Sequence, residues 1–146
     1  METSKTSKRA NPGKTLPFWA IFVVRGESID VACTNEPISE PVTSDNFQEL
    51  VWQPMVEKIL KDYSKDAILA TCDVFYKASA GNELNEPIFF KWCPDNGVSI
   101  KAKMMIGSSF QAVKRRLDVQ GTTPELTLAS ELSFPAFAQC ARLRGL

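Results

Sequence analysis

The longest apolar run in the chain, residues 16–24 (LPFWAIFVV), is about half the length that a membrane-spanning helix needs. Its aromatic and β-branched residues suit a buried strand, and the turn-forming stretch 25–28 (RGES) follows at once. Apolar residues resume at 29–33, so the pair reads as an antiparallel β-hairpin. Lys5, Lys8, Arg9 and Lys14 precede the run as they would in a signal peptide, but no small-x-small cleavage site follows it, and the strand reading prevails. A hairpin of this kind must be completed by more strands and covered by helices, and the rest of the chain offers both.

Residues 35–46 hold Pro37 and Pro41 and form a loop. Phe47, Val51, Met55 and Ile59 then recur at i+4 spacing, which predicts a helix over about 45–63, opened by an Asp45/Gln48 capping box and kinked or split at Pro54. Residues 67–76 (AILATCDVFY) and 88–93 (IFFKWC) read as strands, joined by a polar loop over 77–87. After the turn 94–97 (PDNG), Ile106, Phe110, Val113 and Leu117 mark one face of a second helix over about 100–117. A short strand within 126–132 and a terminal helix over 134–143, with Ser133 as N-cap and Pro135 at its first position, complete the order β-β-α-β-β-α-β-α. The expected fold class is α/β (α+β), a mixed central sheet flanked by helices. Residues 1–14 are expected to be a disordered basic tail and 15–146 one domain.

Composition narrows the chemistry. The 146 residues carry no net charge and no histidine, which removes the commonest general base and metal ligand. Cys33, Cys72, Cys93 and Cys140 are far apart, with no Cys-x-x-Cys pair, so no metal site and no cofactor is expected. Three of them lie in or beside apolar runs, and no Asn-x-Ser/Thr acceptor occurs, so reduced thiols and a cytoplasmic location are expected. Gly13-Lys14-Thr15 ends like a phosphate-binding loop, but Lys8 stands where the first glycine belongs and the strand follows the motif instead of preceding it. No enzymatic constellation emerges.

Charge distribution is the informative feature. Residues 26–66 carry nine acids against three lysines, whereas 96–117 carry Lys101, Lys103, Lys114, Arg115 and Arg116 and no acid. Such a helix attracts an acidic partner, or is a solvated face. Lys101 and Lys103 lie at the predicted helix N-terminus, where the dipole disfavours cations, which points to use by a partner. Lys114, Arg115 and Arg116 lie near its C-terminus, where the dipole alone accounts for them.

The segment Trp92-Cys93-Pro94-Asp95-Asn96-Gly97-Val98-Ser99-Ile100-Lys101-Ala102-Lys103-Met104, followed by Ser108-Ser109 and by Ala112-Val113-Lys114-Arg115-Arg116-Leu117, resembles the signature of the actin-depolymerising factor/cofilin homology family. The resemblance covers roughly residues 15–143 and is strongest over 88–117. It implies the ADF-homology, gelsolin-like fold and a monomeric, cytoplasmic, non-enzymatic protein of the actin cytoskeleton. By the same resemblance, Lys101, Lys103, Met104, Ser108, Ser109, Lys114 and Arg115 bind actin, and Lys114, Arg115 and Arg116 contact phosphoinositide head groups. A lysine-flanked methionine supplies a desolvated anchor with steering charge around it.

Three departures from the family pattern carry expectations of their own. Only the polar stretch 1–15 stands where the family has a helix and a regulatory serine, so one cover of the sheet is expected to be missing, leaving an apolar patch. Phe110 and Gln111 replace a Lys-Asp step, and Phe110 is either extra core or an exposed aromatic at a changed interface. Leu84 and Glu86 stand where the family presents basic residues to filaments, with Arg142 and Arg144 as partial compensation, so monomer binding is expected over filament binding and severing. The alternative is a divergent ADF-homology fold that binds another protein or an anionic phosphoinositide surface, without severing filaments.

Overall fold

A computed structural model describes residues 17–117 and 122–146; the expected tail and the missing-helix expectation lie outside the described residues. The hairpin is formed by β1 (Trp19–Arg25) and β2 (Ser28–Thr34), paired through Arg25↔Ser28. Its two-residue turn places Gly26 at φ 61°, the conformation that the first position of a type II′ turn demands. Next come β3 (Ile68–Lys77) and β4 (Glu83–Trp92), again antiparallel. The two-residue β5 (Glu125–Leu126) then lies parallel to β4. The sheet order is β2-β1-β3-β4-β5, a mixed five-stranded sheet in an α+β fold.

The first helix splits as Pro54 requires. Residues Gln48–Trp52 form a π turn, closed by the Gln53 N–H on the Gln48 carbonyl, and α1 (Gln53–Asp62) carries Pro54 in its first turn. Proline has no N–H to donate and its ring crowds the preceding turn, so the backbone widens there before resuming regular geometry. The expected Asp45/Gln48 capping box does not form. Phe47 occupies the cap without a side-chain bond, and Asn46 Oδ1 instead accepts the Thr43 N–H at 2.8 Å.

Several other boundaries shift. The loop expected over 77–87 shrinks to 78–82, because β4 begins at Glu83 and carries Pro87 within it. Among the described residues β4 has a second neighbour beyond β3 only at Lys91 and Trp92, so Pro87 interrupts no ladder there on that side. The strand expected within 126–132 is cut short because Glu131 accepts the Thr127 and Leu128 N–H groups at 2.9 and 3.0 Å, which winds Ala129–Leu132 into a 3₁₀ turn. The last helix ends earlier than expected: α3 (Phe134–Ala141) stops at Arg142, whose φ of 53° is left-handed. Pro135 is its second residue, not its first, and Ser133 makes no side-chain cap bond.

The sheet has two unequal faces. On one, Ile68, Ala70, Cys72 and Val74 of β3 meet Phe47, Val51, Met55 and Ile59, together with Phe137, Ala138 and Ala141 of α3. On the other, Leu69, Phe89 and Cys93 meet Ile106 and Phe110 of α2 (Ile100–Leu117), with half-buried Phe22, Val24, Ala67, Val98 and Val113 around them. Ile29 and Val31 of β2 remain exposed, Val31 at 60%. All four cysteines are free thiols, Cys72 and Cys93 buried and the others half-buried. No helix of the described residues is long and apolar enough to cross a membrane, and among them no three metal-ligating side chains converge.

Candidate protein-binding surface

The site is built outward from the turn between β4 and α2. Cys93 N–H donates to the Leu126 carbonyl at 2.9 Å and the Trp92 indole N–H to the Tyr63 carbonyl at 2.9 Å, tying the end of β4 to β5 and to the residue that closes α1. Gly97 sits at φ 90° with the methylene stem of Lys65 packed against it; a Cβ there would lie 2.9 Å from Lys65 Cγ. Only glycine meets both conditions. Ser99 then caps α2: its Oγ accepts the Ala102 N–H at 3.1 Å and its carbonyl the Lys103 N–H at 3.0 Å. The helix is therefore launched from a turn gripped on several sides.

That launch decides which side chains face out. Met104 is 68% exposed, and Ile100, one turn earlier on the same face, is 77% exposed. Ser108 continues the stripe, its hydroxyl donating to the Met104 carbonyl at 3.1 Å. Lys101 is exposed beside it. Lys103 is half-buried, and its ammonium donates to the Asp95 carbonyl at 3.0 Å, so a local acceptor offsets part of the dipole penalty that points to a partner. The sequence reading passed over Ile100, although its i,i+4 relation to Met104 was the available signal.

The remaining predicted residues do not share this ridge. Ser109, Arg115 and Arg116 line a shallow cleft of about 500 Å³ against the hairpin turn, together with Gly26, Glu27 and Ile29. Lys114 is separate again, its ammonium 5.2 Å from the centroid of the Phe110 ring. Phe110 itself is fully buried and stacks on Phe89 at 5.0 Å, so it is core and not an exposed aromatic. The seven residues expected to bind actin thus fall into a ridge at the start of the helix, a cleft beside its end, and one lysine folded back on the core.

At the far edge of the molecule, Glu86 is not a free acid. Its carboxylate accepts the Tyr76 hydroxyl and pairs with Arg144, whose Nε lies 3.7 Å from Oε1 and whose backbone N–H donates at 3.4 Å. Burial, and then the bond to Glu86, push the Tyr76 hydroxyl well above the ordinary phenol range. The Ser79 N–H donates to the Gly145 carbonyl at 2.6 Å, so residues 144–145 are strapped to the β3–β4 hairpin.

The sequence profile of the cofilin/tropomyosin-type actin-binding protein family matches residues 3–141. Cofilin of Ogataea parapolymorpha is 29% identical over 114 residues, 77% of either chain. Among solved structures, the ADF-like UNC-60A protein of Caenorhabditis elegans superposes with a TM-score of 0.70 at 23% identity, covering 92% of this chain and 87% of that one. Actin depolymerization factor 2 of Plasmodium berghei does so with a TM-score of 0.70 at 17% identity, covering 96% and 95%. With the profile spanning nearly the whole sequence and the five-stranded fold shared, the chain belongs to the actin-depolymerising factor/cofilin family.

Proposed function

We propose that this protein binds actin in the cytoplasm, as a monomer favouring monomeric actin over filaments, and so regulates filament turnover. The observation that carries the reading is the exposed Ile100–Met104 ridge, with Lys101 and Lys103 beside it, at the gripped end of α2. Two apolar side chains one turn apart form an anchor that loses its water on docking, and the lysines steer it toward an acidic surface. Ser108 extends the ridge by one turn, and Ser109 and Arg115 offer a second contact in the cleft against the hairpin turn. Catalysis has no part in it; the family is one of non-enzymatic actin-binding domains. Monomer preference follows from Glu86, which cancels Arg144 on the surface where a filament contact would need net positive charge.

A second reading concerns anionic lipid. Arg115 and Arg116 line one cleft with Ser109, a shape and charge that suit a phosphoinositide head group; Glu27 in the same cleft opposes it, and Lys114, expected to join them, lies over Phe110 instead. Binding to phosphoinositide vesicles that collapses with added salt would support this role.

The test is the affinity of Lys101→Ala/Met104→Ala protein for monomeric actin, with filament co-sedimentation alongside. Loss of an anchor and a flanking cation should weaken monomer binding by at least about tenfold, while the melting temperature stays unchanged because both side chains face solvent. Equal affinity in the two proteins would overturn the reading.

A further inference from the structure

We infer that Lys114 is a positioning residue for α2, part of an internal aromatic–cation cluster built around Phe110, and not one of the residues that meet the partner. The inference rests on the actin reading for its binding arm only. Phe110 is fully buried, with Phe89 of β4 stacked on it at 5.0 Å and an interplanar angle of 29°. Two ammonium groups approach the same ring from different elements. Lys114, one turn later on α2, lies 5.2 Å from its centroid, and Lys91 of β4 lies 5.7 Å from it. Lys91 is also paired with Glu125 of β5 at 2.9 Å, and those two residues are register partners in the parallel strand pair.

The cluster therefore joins α2, β4 and β5 through one ring. A cation within about 6 Å of an aromatic face is attracted to its quadrupole, more strongly as water is excluded. Glu125 offsets one of the two positive charges, which limits the repulsion between lysines that share a ring. Beyond this cluster, the helix rests on its face of the sheet through Ile106, with Leu69 and Cys93 beneath, and through half-buried Val113. A tether near its last turns fixes the angle at which Ile100 and Met104 are presented at the other end. Arg115 and Arg116 are both exposed and line the cleft beside the hairpin turn, where a partner can reach them.

The full-length protein tests this directly. In its NMR spectrum the Lys114 Hε protons should be shifted upfield by the Phe110 ring, and should return to the ordinary position in Phe110→Leu, which keeps the core apolar. Thermal shifts of Lys114→Met and Phe110→Leu should be non-additive in the double variant, as coupled residues are. Lys114→Arg, which keeps a cation over the ring, should restore wild-type melting. For monomeric actin, Lys114→Met should bind within about threefold of wild type, the near-neutral behaviour of a residue outside the anchor. Unshifted Hε protons in wild type, additive melting shifts, or a loss of about tenfold or more in affinity would each overturn the inference. If wild type does not bind actin at all, the actin reading fails, and the ring shift and melting arms still decide the place of Lys114.

Discussion

The two faces of the sheet are built to different depths. The face carrying α1 and α3 is a thick aromatic and aliphatic layer in which Trp52 and Phe137 approach to 4.5 Å and Phe90 and Phe137 to 5.2 Å. The face carrying α2 is a smaller cluster of Leu69, Phe89, Cys93, Ile106 and Phe110, rimmed by half-buried Phe22, Val24, Ala67, Val98 and Val113. The proposed binding helix thus lies on the thinner layer. Stability is concentrated on one side and presentation on the other, so the binding ridge can be altered without touching what holds the fold together.

The comparison breaks most visibly on the thick side. Phe137→Ala, which empties a fully buried position between Trp52 and Phe90, should cost about 3–5 kcal/mol in urea unfolding, enough to unfold a marginal domain. Equal loss from Ile106→Ala would erase the contrast. We expect that change to cost about 2 kcal/mol, the low end for such truncations, because the thin layer can settle into the space. Its distinguishing effect should be local: amides of α2 should exchange faster than those of β3, and actin binding should weaken without global unfolding.

A pH experiment sharpens the same contrast at the strapped edge. Tyr76 holds its proton more tightly folded than unfolded, so the folded state binds more protons once pH passes the ordinary phenol value of 10.0. Its contribution is complete below about pH 10 and is lost as pH rises toward the folded value. Tyr76→Phe should accordingly flatten the alkaline limb of the stability profile, and an unchanged limb would show that Tyr76 does not shape it. The smallest effect is expected from Glu86→Gln, which keeps an acceptor for Tyr76 but uncovers the charge of Arg144. Filament co-sedimentation should rise modestly, by a few-fold at most, since exposed charges contribute little each.

Much of this architecture was legible beforehand where the local signal was strong. The i+4 stripe from Phe47 to Ile59 is buried throughout, and the second helix spans Ile100–Leu117 as its periodicity indicated. Boundaries failed where a distant residue supplied the reason. Polar 83–87 became strand because β3 offered a complete partner and β5 reached β4 only at its other end. The basic residues were recognised as a set, yet three different environments divide them, because helical neighbours in sequence point about 100° apart and meet different walls.

What the chain determined by itself was the inventory: short β-rich runs, two amphipathic helices, an acid-free basic segment, and no histidine. These follow from side-chain size, polarity and spacing, which act over a few residues. Which lysine faces solvent, which is held by the Asp95 carbonyl and which lies over Phe110 was decided only when β4, β5 and α2 came together. Burial and Coulomb attraction depend on neighbours in space, and sequence order does not list them.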